Sequence, residues 1–447
     1  MVDNDPLGPL KLPFQRPPLD LRTYHSPEAE SVIELMKKKM KDKDLARIFE
    51  NSYPNTLDTT AIWTSNNEKH PQAHIIAGDM DAAWLRDNLW QIQPYARLLP
   101  TSPSIRTLWR GIINTQSNNI RKAPYSNSFQ PPPESGRPPV MEHLVDMSQD
   151  VVHPPFDRAV SFEAKYALDS LASFLRLSRV FHRYTSDGSF VTDEYIGTIR
   201  LILQVVKEQS KSTFAEDGAL RNSAYSFMRP SALSMESPYN GPEFPPNSGT
   251  GNPANAGTGL VKSVFRASDD ACILPFWIPG NAFLAVELIS AEDYLLPKES
   301  ELATEAKAIG LQIKDGIYKH AVFSHPVFDE VFAYEIDGYG SRIFMDDASP
   351  PSLLSLPYLG FCDKNDPIYK NTRAMVLSKQ GNPYFVTGKE LHGQGSPHID
   401  LTTMWPVGTV IRILTSDDDS EITTELEILK KSTGGLGMIH EGGEFSQ

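Results

Sequence analysis

The stretch Phe265-Arg266-Ala267-Ser268-Asp269-Asp270-Ala271 sets an arginine, a hydroxyl and two adjacent carboxylates between Val264 and the apolar run 272–278. Adjacent carboxylates repel, so one can hold its proton near neutral pH, as a general acid must. Far downstream, Met438-Ile439-His440-Glu441 sets another carboxylate in a glycine-rich turn. One carboxylic acid and one carboxylate base are the minimum equipment for cleaving a glycosidic bond. Both stretches also have a purely structural reading. Ser268 could cap a helix whose first turn carries Asp269 and Asp270, and Glu441 could be a surface residue of the tail.

A third cluster, 78–88, packs Trp84, Arg86, Asp87 and two further aspartates into a short span. Trp84 offers a flat apolar face on which a pyranose ring can stack. Arg86 offers a donor fork, and Asp87 an acceptor, for sugar hydroxyls. The alternative is an internal Arg-Asp pair that caps the short helix ahead of Pro94.

These blocks, taken in order, resemble the glycoside hydrolases of family 125. Residues 78–95 are similar to the family's Gly-Asp-x-x-x-x-Trp-Leu-Arg-Asp block, and Pro124-Tyr125-Ser126-Asn127-Ser128-Phe129 to its Pro-Tyr-Ala-Asn-Ala-Phe segment. Residues 162–171 are similar to its Glu-x-Lys-Tyr-x-x-Asp-Ser-Leu helix. Residues 265–271 resemble Phe-Arg-Pro-Ser-Asp-Asp-Ala, with Ala267 in place of Pro. Asp346-Asp347-Ala348, 352–360, Gly395-Ser396-Pro397-His398 and Met404-Trp405-Pro406 complete the series. Any one block is weak; the ordered set spans 26–441 and is specific.

The resemblance implies a metal-independent, exo-acting α-1,6-mannosidase on an all-α (α/α)6 barrel, with no cofactor, no metal, and α-mannoside oligosaccharides as partners. It implies an inverting pair with the acid in Asp269-Asp270, Asp269 favoured, and Glu441 as base. Whichever aspartate is not the acid would bind sugar hydroxyls or hold the acid. Arg266 either orients one of them or forms a structural ion pair. Asn127, His398, Trp405 and His440 are expected in the cleft, and Asp346 and Asp347 either bind mannose or cap the turn before Pro350. The family pattern continues past a His-Glu-Ser block, whereas here Gly442 stands for Ser and the chain ends at Gln447. The expectation is therefore a single catalytic domain, 26–447, lacking its last helix. The competing functions are an impaired mannoside-binding relative and an α-glucosidase-like hydrolase of the same fold.

Composition agrees. A net charge of −14 argues against a nucleic-acid partner, which needs a basic face. Hydrophobic content of 40% suffices for a large core, and no run is long enough for a membrane span. Cys272 and Cys362 lie in apolar contexts and read as free thiols. The histidines are scattered, without metal spacing. Met1 is followed by no apolar leader and there is no Asn-x-Ser/Thr sequon, which points to a cytoplasmic chain, secreted if a leader precedes it; a monomer is expected.

Helices must position these residues. A Pro-rich segment, 1–25, reads as an extended surface strap. Ser26-Pro27-Glu28 starts a helix that the pattern carries to Asn51. Further helices are expected near 104–119, 160–184, 193–210, 282–294, 299–321, 367–378, 403–415 and 420–432. Two long insertions, 121–157 and 237–258, are expected to wall the cleft. Alternation over 328–344 around Gly338-Tyr339-Gly340 predicts an inserted β-hairpin.

Overall fold

Ser26 accepts the Ala29 N–H and Pro27 fixes the first turn, so α1 (Pro27–Lys39) begins where the cap demands. It does not run to Asn51. Met40 turns extended, and the Asp42 side chain accepts from the N–H groups of Asp44 and Leu45, which starts α2 (Lys43–Ser52) afresh. The computed structural model describes residues 8–78, 80–140, 150–230, 244–389, 391–398 and 400–444. The longer helices that follow are α3 (Leu85–Ile92), α4 (Pro103–Lys122), α5 (Leu168–Thr185), α6 (Asp193–Gln209), α7 (Ile278–Ser290), α8 (Ser300–His320), α9 (Pro367–Val376), α10 (Pro406–Leu414) and α11 (Asp419–Lys431).

Helix α7 is buried almost all round, as is most of α5, so both belong to the interior of the helical layers. Helix α5 packs on α3, α4 and α7; α7 packs on α8; α4 packs on α6; and α10 packs on α11. Helix α11 reaches back to α2, where Lys430 Nζ lies 2.7 Å from Asp42, so late and early helices meet. The result is an (α/α)6 barrel whose main core runs continuously from Ala29 to Ile411. Residues 8–25 dock along this frame: Gln15 N–H donates to Asn51 and Arg16 pairs with Glu30 and Asp58. Cys272 is buried and Cys362 half-buried, and both are free.

Short strands do more of the positioning than the pattern predicted. The stretch 160–167, expected to be helical, is not: a turn ends at Val160 and a strand follows. Ser161–Glu163 pairs with Ser128–Phe129, which pairs in turn with Ala83–Trp84, and α5 starts only at Leu168. The predicted hairpin is present but doubled. Val322–His325 pairs with Asp329–Phe332, and Glu335–Ile336 pairs with both Arg342–Ile343 and Phe276–Trp277. Residues 141–149, within the first long insertion, and 231–243, which take in the start of the second, lie outside the described residues. Their flanks meet through Val151–His153 pairing with Ser226–Met228.

Strand Ala73–Ile75 buries His74 at 1% exposure. Burial pushes its imidazole down from 6.5 to about 4, against the opposing pull of Asp81 3.7 Å away. A histidine depressed in the folded state binds its proton first in the unfolded chain. Stability is therefore full above pH 6.5 and is lost as pH falls towards about 4. The loss is on the order of 3 kcal/mol at about 1.4 kcal/mol per tenfold change. Urea unfolding at both ends of this window checks it: His74→Gln should lose less stability on acidification than the parent, and equal losses would remove His74 from the account.

Candidate active site

The turn 266–270 is built to separate its two carboxylates. Arg266 N–H donates to the Asp270 carbonyl at 2.8 Å and Asp269 N–H donates to the Arg266 carbonyl at 3.1 Å. Closing so tightly drives Asp269 to φ +68°, a left-handed conformation that aspartate tolerates better than most side chains. Strained backbone of this kind gathers at functional sites. Side chains on either side of it then point apart. Asp269 opens on a cleft of about 610 Å³, whereas Asp270 is fully buried. Asp270 Oδ1 lies 2.9 Å from His398 Nδ1, and its Oδ2 lies 3.5 Å from Ser268 Oγ.

Helix α3 supplies a second wall. Arg86 and Asp87 line the cleft from its first turn, and so does Trp90, one helical turn on. Arg86 Nε donates to Asp87 at 3.0 Å, and its Nη1 reaches towards Asp269 at 3.6 Å. Trp84 does not meet the expectation of a stacking platform. It precedes the helix, is 8% exposed and packs against Phe162 at a centroid distance of 5.4 Å. The aromatic face that this helix gives the cleft is that of Trp90, which shares a helix face with Arg86; the i, i+4 spacing was the available signal.

The third wall comes from the end of the chain. Gly443–Glu444 pairs with Thr403–Met404, and Asn51 Nδ2 donates to the Gly437 carbonyl at 2.9 Å. Gly437 has φ +71°, and a Cβ there would meet Asn51 Nδ2 at 3.0 Å. His440 and Glu441 are thus tethered on both sides and line the cleft beside Trp405, though both are exposed. Trp405, 5% exposed, stands edge-on to His398 at 6.1 Å.

Four further expected site residues do not line the cleft; they hold its walls. Arg266 takes the structural alternative: it is buried and pairs with Glu335 at 2.6 Å, not with either aspartate. Asn127 is 1% exposed, donates to Glu163 at 3.1 Å, and its carbonyl receives the Leu85 N–H at the start of α3. Asp346 accepts from Leu353 N–H, Leu354 N–H and Gln394, and Asp347 accepts from Ser268, Ser396 and Ser349. These two cap the turn 347–354 and tie the Asp269 loop to the His398 loop. Burial pushes the Asp346 carboxyl up to about 7 and raises that of Asp347. Described parts of the long insertions are likewise absent from the lining.

An (α/α)6 barrel with a cleft that combines carboxylates, a guanidinium and indole faces has the equipment of a carbohydrate hydrolase. Residues 42–447 match the model of the metal-independent alpha-mannosidases, GH125, and the chain belongs to that family. It is 45% identical over 442 residues to the meiotically up-regulated gene 157 protein of Schizosaccharomyces pombe, an alignment spanning 98% of this chain and 84% of that protein. Among solved structures it is similar to a metal-independent α-mannosidase of Streptococcus pneumoniae in a non-productive complex with α-1,6-mannobiose. That match has a TM-score of 0.80 and 28% identity, over 93% of this chain and 92% of the other.

Proposed function

We propose that the chain releases terminal, non-reducing α-1,6-linked mannose by a metal-independent, single-displacement inverting reaction. The observation that carries this reading is that Asp269 and Glu441, 172 residues apart in sequence (441 minus 269), open on one cleft. In the proposed step Asp269 gives its proton to the glycosidic oxygen as the bond to the anomeric carbon breaks. Glu441 takes a proton from a water that attacks the opposite face, which requires roughly 6.5–9.5 Å between the carboxyls. Asp270 suits neither role, being buried against His398 and Ser268. Arg86, Asp87, His398 and His440 supply hydrogen bonds for hydroxyls, and Trp90 and Trp405 supply apolar faces. The mannobiose bound by the Streptococcus pneumoniae structure supports a mannoside with this linkage.

Proton NMR of α-1,6-mannobiose incubated with the purified chain and EDTA tests the proposal. The expected first product is β-mannose. Initial α-mannose would overturn inversion, and glucose release from isomaltose without mannose release from mannobiose would overturn the substrate. Binding without turnover by folded protein would favour the impaired mannoside-binding relative.

A further inference from the structure

One nitrogen of Arg86 faces two carboxylates. Its Nη1 lies 3.6 Å from Asp269 Oδ1 and 3.9 Å from Asp169 Oδ2. Asp169 sits in the first turn of α5, fully buried and outside the cleft lining, and neither of its oxygens receives a hydrogen bond from another residue. Structural carboxylates at this depth are normally saturated, as Asp346 is here by Leu353, Leu354 and Gln394. Among the described residues the ion-pair partner of Asp169 is Arg86 alone. A helix start favours a negative charge there, but it does not explain a carboxylate held behind the cleft's cation with no donor from any other residue.

We propose that Asp169 is a positioning residue that competes with Asp269 for Arg86 Nη1 and so prevents the guanidinium from locking Asp269 in its ionised form. This rests on the reading of Asp269 as the proton donor. A cation close to a carboxylate favours its charged form, and a general acid must carry its proton at working pH. An ionised Asp169 offsets the cation; a neutral one leaves it to Asp269 and Asp87. The groups facing Asp169 are Arg86 and Asp87 from α3, and Asp269 and Cys272 from the loop at 265–272. Burial pushes the Cys272 thiol well up, so it stays uncharged. Burial also pushes Asp169 up to about 6, with Arg86 opposing and Asp269 and Asp87 adding to the rise, so the offset operates above about that pH.

The test is kcat/KM on α-1,6-mannobiose against pH for the full chain and for Asp169→Asn. Because Asn mimics the neutral acid, the two profiles should converge below about pH 6 and separate above it. The alkaline limb of the variant should fall earlier by about one unit or more, a loss of about tenfold or more on that limb. A uniform loss with an unmoved limb would mean a merely structural role and would overturn the proposal. Should Asp169→Asn fail to fold by circular dichroism, Arg86→Gln decides. Removing the shared cation should move the limb to higher pH, and an unmoved limb overturns the proposal. The underlying reading fails separately, by turnover retained in Asp269→Asn.

Discussion

Asp269→Asn lowers kcat on α-1,6-mannobiose by about 10²–10⁴-fold, the usual contribution of a positioned proton donor or acceptor, and Glu441→Gln does the same. The two losses separate on an activated aryl α-mannoside, whose leaving group departs without protonation. There the Asp269→Asn defect should shrink by at least about tenfold, while that of Glu441→Gln persists because water must still be activated. Both variants should keep their affinity for mannobiose by calorimetry, since Asn and Gln preserve shape. Asp270→Asn should behave differently. Asp270 is buried against His398 and Ser268, so the substitution disturbs a held side chain and leaves the proton donor in place. Its kcat should fall less than that of Asp269→Asn, and KM should rise as His398 loosens. Wild-type-like turnover in Asp269→Asn together with loss in Asp270→Asn would exchange the two roles.

The difference between these neighbours marks how much the chain discloses before it is folded. Ordered motifs name the family and the barrel, and caps such as Ser26-Pro27 place helix starts to the residue. Motifs also place Asp269, Glu441, Arg86, Asp87, His398, Trp405 and His440, all of which line the cleft. Sequence adjacency cannot say which way a side chain turns. Asp269 and Asp270 part company because of a left-handed φ that depends on the turn's own hydrogen bonds. Polar residues beside apolar runs advertise that a group is buried for a reason, without saying whether the reason is substrate or scaffold. Arg266, Asn127, Asp346 and Asp347 belong to the scaffold because their partners come from distant segments: Glu335, Glu163, Gln394 and Ser268. Residues 160–167 misled for a similar reason. Val160, Phe162, Ala164 and Tyr166 alternate with Ser161, Glu163 and Lys165, the period of a strand, but the alternation is short and runs straight into the helical pattern of α5, and its partner, Ser128–Phe129, is some thirty residues away.

Glu335→Gln should destabilise the fold by about 3–5 kcal/mol, the cost of leaving a buried charge without its partner. Glu335 is fully buried; its Oε1 receives Arg266 Nε at 2.6 Å and its Oε2 receives the N–H groups of Ile273 and Leu274 at 2.9 and 2.8 Å. One side chain therefore fixes both ends of the segment that carries Asp269, from strand Glu335–Ile336, which pairs with Phe276–Trp277 just beyond it. An amide in its place cannot accept with both atoms and leaves the Arg266 guanidinium, stacked on Tyr334 at 5.3 Å, uncompensated. Replacing both partners by apolar residues, Glu335→Leu with Arg266→Met, should cost less than the single change, because no charge is then stranded. Urea unfolding of the two single variants and the double gives the coupling directly. The catalytic consequence differs in kind from that of Asp269→Asn. A loosened turn lets Asp269 leave its left-handed conformation, so at temperatures where the variant is still folded kcat should fall while the pH at which the limbs lie is unchanged. If Glu335→Gln cost under about 1 kcal/mol, the pair would not be what holds the turn, and the hydrogen bonds from Ser268 and Ser396 to Asp347 would have to carry that role instead.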